Sequence, residues 1–188
     1  MLFHFSLPLL FSVLPLLSQG PTTPAPAPAQ PPAKIEWRAN RPLTWDDFKS
    51  RPTTDQLAAL TSSSIDAKVG CVDYVFSAQV RAVFVPTESW VRYPKQATAN
   101  LLRHEQLHFD LTEVHARMLR QKLSTIKLDC EKLQPAFNNL TKVAFLAWQR
   151  EEGRYDQETN HGLNQPRQQA WEQQVQQRLQ QLEAYALK

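Results

Sequence analysis

The sequence has no run of basic residues. Its 21 Lys and Arg are scattered against 18 Asp and Glu, a net charge of +3 over 188 residues. No basic stripe supplies a phosphate-binding footprint, which excludes nucleic acid as a partner. Cysteine is nearly absent. Cys71 and Cys130 are the only two; neither has the spacing of a metal knuckle, and none stands after the N-terminal segment to carry a lipid. No internal repeat is visible. Charge is missing altogether from MLFHFSLPLLFSVLPLLSQG (1–20), which contains no Asp, Glu, Lys or Arg and is broken by Pro8 and Pro15. So short an apolar stretch reads as a signal peptide cut after Gly20, although the usual basic start is missing. The alternative is an uncleaved membrane anchor. The mature domain is expected to be secreted or periplasmic, without stable insertion in a membrane.

The next thirteen residues are unlike either a core or a helix. PTTPAPAPAQPPA (21–33) alternates Pro with Ala, a composition that tends to polyproline II and acts as a semi-rigid spacer. The folded domain is therefore expected over 34–188, long enough for one real core. Apolar content of 42% and charged content of 21% are ordinary for a globular chain. Two cysteines in an exported chain point to a Cys71–Cys130 disulfide tying strand to helix. In the chain-entropy model a loop of that length stabilises by about 4 kcal/mol as an upper figure.

The expected fold class is α+β: a small antiparallel sheet of two to four strands packed on a long helix, with two further helices. Ile35 to Trp37 is a candidate edge strand, and Trp45 and Phe48 suggest a helical turn pinned by aromatic packing. Residues 61–69 and 74–85 have strand character; in the second, Val75, Ser77, Gln79 and Arg81 alternate with Phe76, Ala78, Val80 and Ala82. Gly70 and Asp73 punctuate the join, so a hairpin is expected. Helical spacing takes over near Gln96 and continues to Ile126. A second helix is expected over 133–150, with Leu133, Phe137, Leu140, Ala144 and Ala147 on one stripe. A third is expected over 166–185, capped by Asn164, with a solvated Gln-rich face.

LLRHEQLHFDLTE (101–113) carries the chemistry. His104 and His108 stand four apart, about 40° in angle and one turn in rise, so both imidazoles can face one ion. Glu105 sits about 100° round from His104 and can reach a water instead of the ion. Two neutral nitrogen ligands beside a free carboxylate suit zinc hydrolysis, with Glu105 as general base. A catalytic site needs a third protein ligand. His115 is about 10 Å from His108 along the axis and cannot close on the same ion. Leu111 and Val114 occupy the places where a glycine bend and a third histidine would be needed. Glu113, four before Arg117, is expected as a helix-surface ion pair. The best source is YDQETNHGLNQ (155–165), read as a loop, which offers Asp156, Glu158 and His161. His161 is expected as the third ligand, because Gly162 beside it permits unusual backbone angles. Asp156 and Glu158 are expected as orienting groups or alternative ligands, with Glu151 and Glu152 as rivals. Tyr155 is a candidate donor to the oxyanion, or else packs beneath the loop.

LTWDDF (43–48), AALTSSSI (58–65), ESWV (88–91), LLRHEQLHFDLTEVHAR (101–117) and YDQETNHGLNQPRQQAWE (155–172) resemble, in order, the bacterial domain of unknown function 922. That family is described as predicted secreted zinc-dependent proteases and grouped with the zincins. The resemblance implies a minimal zincin-like fold, His104 and His108 as ligands of one zinc ion, Glu105 as base, and a role for 155–162. It fixes neither the third ligand nor the substrate. The favoured reading is an exported zinc hydrolase acting on peptide or protein. The alternative is a non-catalytic envelope protein that binds metal or a partner. Glu105 discriminates, because a structural zinc site has no use for a free carboxylate beside a ligand.

Overall fold

The computed structural model describes residues 34–126 and 129–187, and the expected signal peptide and linker lie outside them. The strands are β1 (Ile35–Glu36), β2 (Ala59–Leu60), β3 (Ser63–Val72), β4 (Val75–Phe84) and β5 (Trp90–Val91). β3 and β4 form the expected hairpin, in register from Ser63 opposite Phe84 to Val72 opposite Val75. Its loop is Asp73 and Tyr74, with φ of 50° and 61°. Left-handed backbone at both positions matches the twist of a two-residue hairpin. Gly70 lies inside β3 opposite Ser77 instead of at the join.

Alternation along the hairpin separates two faces. Ile65, Val80 and Ala82 are buried with Ala67 and Val69 packed beside them, while Asp66 and Arg81 pair with Lys34 and Glu36 on the other side. β1 adds to β4 with Ile35 opposite Phe84, and β2 pairs with β5 as a separate two-stranded sheet. Trp45 and Phe48 come from a helical turn at Trp45–Asp47, their rings 5.0 Å apart, and Phe48 meets Phe84 at 5.1 Å. Cys71 and Cys130 form the expected disulfide, with Cα atoms 5.9 Å apart.

The chain continues into three helices, α1 (Ala99–Thr125), α2 (Leu133–Thr159) and α3 (Gln165–Gln181). Thr98 caps α1 by accepting from the Leu101 N–H, and Asn164 caps α3 by accepting from Arg167. Phe109, Ala116, Leu119 and Leu123 of α1 pack toward the sheet, while Leu107, Leu111 and Val114 meet Trp171, Val175 and Leu179 of α3. Covered on two sides, α1 has little solvated face. For that reason Glu113 and Arg117 are a buried pair at 2.9 Å rather than the expected surface pair. α2 runs nine residues beyond its expected end at 150. Tyr155, Asp156 and Glu158 therefore lie on a helix, not in a loop. No helix among the described residues is long and apolar enough to cross a membrane.

Candidate metal centre

His104, Glu105 and His108 are buried or nearly so on α1. Glu152 and Asp156 on α2 repeat the same four-residue spacing. The two helices run antiparallel here: His104 meets Asp156, and His108 meets both Asp156 and Glu152. One pair of side chains thus faces another across the helix contact.

Three atoms converge. His104 Nε2 is 3.3 Å from His108 Nε2, and Asp156 Oδ1 is 3.2 and 3.1 Å from them. Tetrahedral zinc with bonds of about 2.0–2.1 Å holds its donors roughly 3.3 Å apart, so this triangle has the size such an ion needs. The remaining ring nitrogens support the same reading. His104 Nδ1 lies 3.2 Å from Gln168 Oε1, and His108 Nδ1 lies 2.5 Å from Glu152 Oε2. Both acceptors draw the proton to Nδ1, which turns each Nε2 lone pair toward the cluster. A proton on His108 or a bound metal ion would relieve the repulsion among three electron-rich atoms this close. Burial works against charge on His108, yet its hydrogen bonds to Asp156 and Glu152, with the nearby Glu105 carboxylate, push it up to about 10. Burial likewise opposes charge on Asp156, but the two histidines hold its carboxyl well below the usual range.

Glu105 is the exception to this pairing. It is 3% exposed, and its Oε2 is buried without any hydrogen-bond partner among the described residues. An orphaned buried carboxylate oxygen is costly unless a proton donor reaches it. Glu105 lines the same cleft as the three donors, where a metal-associated water would supply that donor. The donor chemistry and the orphaned oxygen both fit zinc.

The other expected residues take different places. His161, expected as a ligand, stands outside the three-atom cluster: it is half exposed on the rim, with Nδ1 3.3 Å from Asp156 Oδ1. Asp156, expected as an orienting group or alternative ligand, supplies the third atom of the cluster. Glu158, two residues on, points toward α3 and accepts from Arg167 and Trp171. Tyr155 is fully buried and stacks on His104 at 4.7 Å, its hydroxyl donating to Gln168 Oε1 at 2.8 Å or to the His104 carbonyl. Burial pushes its phenol far above the ordinary value, against the smaller lowering effect of Gln168. The hydroxyl is committed beneath the site, which agrees with the packing alternative for Tyr155 and not with the oxyanion one. Gly162 presses on the opposite side of this arrangement: with φ of +78°, a Cβ there would stand 2.9 Å from Cβ and Cγ of His104.

Gln168 was missed by reading the sequence, and Glu152 was read there as a rival ligand and not as an orienting group. Gln168 is buried and orients His104, although it belongs to a helix whose glutamines otherwise suggest a solvated face. Glu152 orients His108 and also accepts from Trp148 at 2.7 Å. The available signal was its four-residue spacing from Asp156, which mirrors that of the histidines.

The family model described as "Bacterial protein of unknown function (DUF922)" matches residues 44–162. The chain belongs to that family. The matched span contains all three converging donors, Glu105 and the Gly162 turn, whereas Gln168 lies beyond it. No curated protein and no solved structure matches the chain.

Proposed function

We propose that this protein is an exported zinc-dependent hydrolase that acts on peptide bonds in a minimal zincin-like domain. The observation that carries the reading is the orphaned Glu105 carboxylate beside three donors spaced for a tetrahedral ion. His104, His108 and Asp156 would hold the zinc. When bound, the ion supplies Lewis acidity, which lowers the pKa of water and polarises a carbonyl. Glu105 takes the proton from the attacking water and delivers it to the departing amine, as a positioned general base then acid does. Gln168 and Glu152 keep the two imidazoles in the tautomer that binds metal. Tyr155 and Gly162 fix the plane of the His104 ring. Export is supported by the Cys71–Cys130 disulfide, a bond kept in oxidising compartments.

Metal analysis with a peptidase assay tests the reading. Wild-type protein is expected to purify with about one zinc per chain, and His104→Ala, His108→Ala and Asp156→Ala to lose it. His161→Ala should keep it. Glu105→Gln should retain zinc while hydrolysis falls by about 100-fold or more, the usual worth of a general base. Wild-type protein that stays metal-free in zinc-containing buffer would sink the proposal.

A further inference from the structure

The cleft in front of the three donors has a volume of about 860 Å³. Its charge is distributed unevenly. Among the described residues, Glu105, Glu152 and Asp156 are its only acidic lining residues, all at the metal centre, and no Lys or Arg lines it although the chain has 21. The walls away from the centre carry no charged side chain other than the His161 imidazole on the rim. Large apolar groups from Leu57, Val91, Tyr93, Leu101, Trp148 and Leu163 stand among the neutral amides of Gln56, Gln96, Gln149 and Asn160. Tyr93 is 64% exposed and Leu163 76% exposed, so large apolar side chains are held in water at the cleft. The serine and threonine hydroxyls nearest the centre are already engaged: Thr61 donates to the Glu105 carbonyl, Ser62 to Glu88, and Ser63 pairs with Thr112. The described walls thus offer neutral amides and apolar surface, and no guanidinium or ammonium to pair with an acidic group.

We propose that the cleft selects an uncharged stretch of polypeptide with apolar side chains at the residues it covers. This deepens the hydrolase reading and rests on it for the reaction, though not for binding. Even with a divalent ion in place, Glu105, Glu152 and Asp156 leave the centre with no excess positive charge, and no guanidinium or ammonium in the described walls pairs with an acidic side chain or a phosphate. Apolar side chains would cover Tyr93, Leu163 and the deeper Leu101 and Trp148, removing that surface from water. Specificity then lies in the walls and is separable from the metal centre.

Matched fluorescent peptides test this, one set carrying Leu, Phe and Ala, the other with Glu at alternate positions. Anisotropy measures binding to the zinc-loaded full chain, and mass spectrometry measures cleavage. The apolar peptides are expected to bind about tenfold tighter or better, the scale of discrimination by an apolar pocket. Tyr93→Lys and Leu163→Lys, both at exposed positions, should narrow that ratio severalfold without changing zinc content. Equal or tighter binding of the acidic peptides by wild type overturns the proposal. So does a ratio unmoved by both lysines. Apolar peptides bound with the expected preference but left uncut uphold this inference and remove the hydrolase reading. Cleavage without preference does the reverse, and neither binding nor cleavage removes both.

Discussion

The two halves of α1 bury charge in opposite ways. Around Glu113 every group is answered. Its carboxylate receives Arg117 and Arg120 at 2.8–3.0 Å. Arg117 also donates to the Leu179 carbonyl and to Glu183, and Arg120 to the carbonyls of Val80 and Tyr185. Two turns earlier, His104, His108 and Asp156 converge on a space, and Glu105 Oε2 has no partner among the described residues. Burial and charge are therefore no sign of function in themselves. A closed network holds helices to strands; an open one leaves polar atoms free for a ligand.

Glu113→Ala opens the closed network at its centre. Two guanidinium groups would lose their buried counter-charge, which costs about 3–5 kcal/mol. Thermal unfolding should show a large fall in Tm, while the folded fraction keeps its zinc. If zinc were lost and stability kept, the division between the two halves would be wrong.

Glu151 extends the closed network, receiving His115 from α1 at 2.6 Å, Arg178 from α3 at 2.9 Å and Arg154 from its own helix at 3.0 Å. Burial alone would raise its carboxyl, but His115 and Arg178 lower it from 4.5 to about 2. The folded pKa is thus depressed. Its contribution, roughly 2–3 kcal/mol once solvent screening is discounted, is present above the unfolded value and is lost as pH falls from about 4.5 through about 2. Denaturant titrations should show Glu151→Gln well below wild type at pH 7, with the gap shrinking as the pH falls from about 4.5 toward about 2. A pH-independent gap would mean that the carboxylate is not what matters.

Within the open network, Gly162→Ala should drive the added methyl into His104, which lies 2.9 Å from the Cβ position. Zinc affinity is expected to fall about 10-fold or more, measured against a chromophoric chelator, with helical circular dichroism unchanged. The smallest change is Glu152→Gln, which keeps an acceptor at His108 Nδ1 and removes only its charge. A loss of about tenfold in zinc affinity is expected, with little change in Tm. Unchanged affinity in both variants would show that the supporting residues are packing alone.

The hairpin, the three helices, the disulfide and the Asn164 cap were all legible in the chain, because each rests on spacing or chemistry within a short segment. The stripe Trp171–Val175–Leu179 is buried as its periodicity requires, whereas the α2 stripe is buried at Leu133 and Phe137, half-buried at Leu140 and Ala144, and exposed at Ala147. Legibility failed where polar residues occupy a buried face. Tyr155, Asp156 and Glu158 look like a loop because they are polar, yet they continue α2, with Glu152, Asp156 and Thr159 repeating at helical spacing. The left-handed residues Asn160, His161 and Gly162 end that helix later than expected.

By itself, the sequence determined that His104 and His108 share a face and that Glu105 stands beside them, since four residues of helix decide both. Tertiary structure alone decided that Asp156 completes the triangle, that His161 stays on the rim, that Gln168 and Glu152 set the tautomers and that Tyr155 is closed off. Those outcomes depend on the rotational phase of α2 and α3 against α1. That phase is set by side-chain packing across helices between residues 52 and 64 positions apart, and no local spacing encodes it.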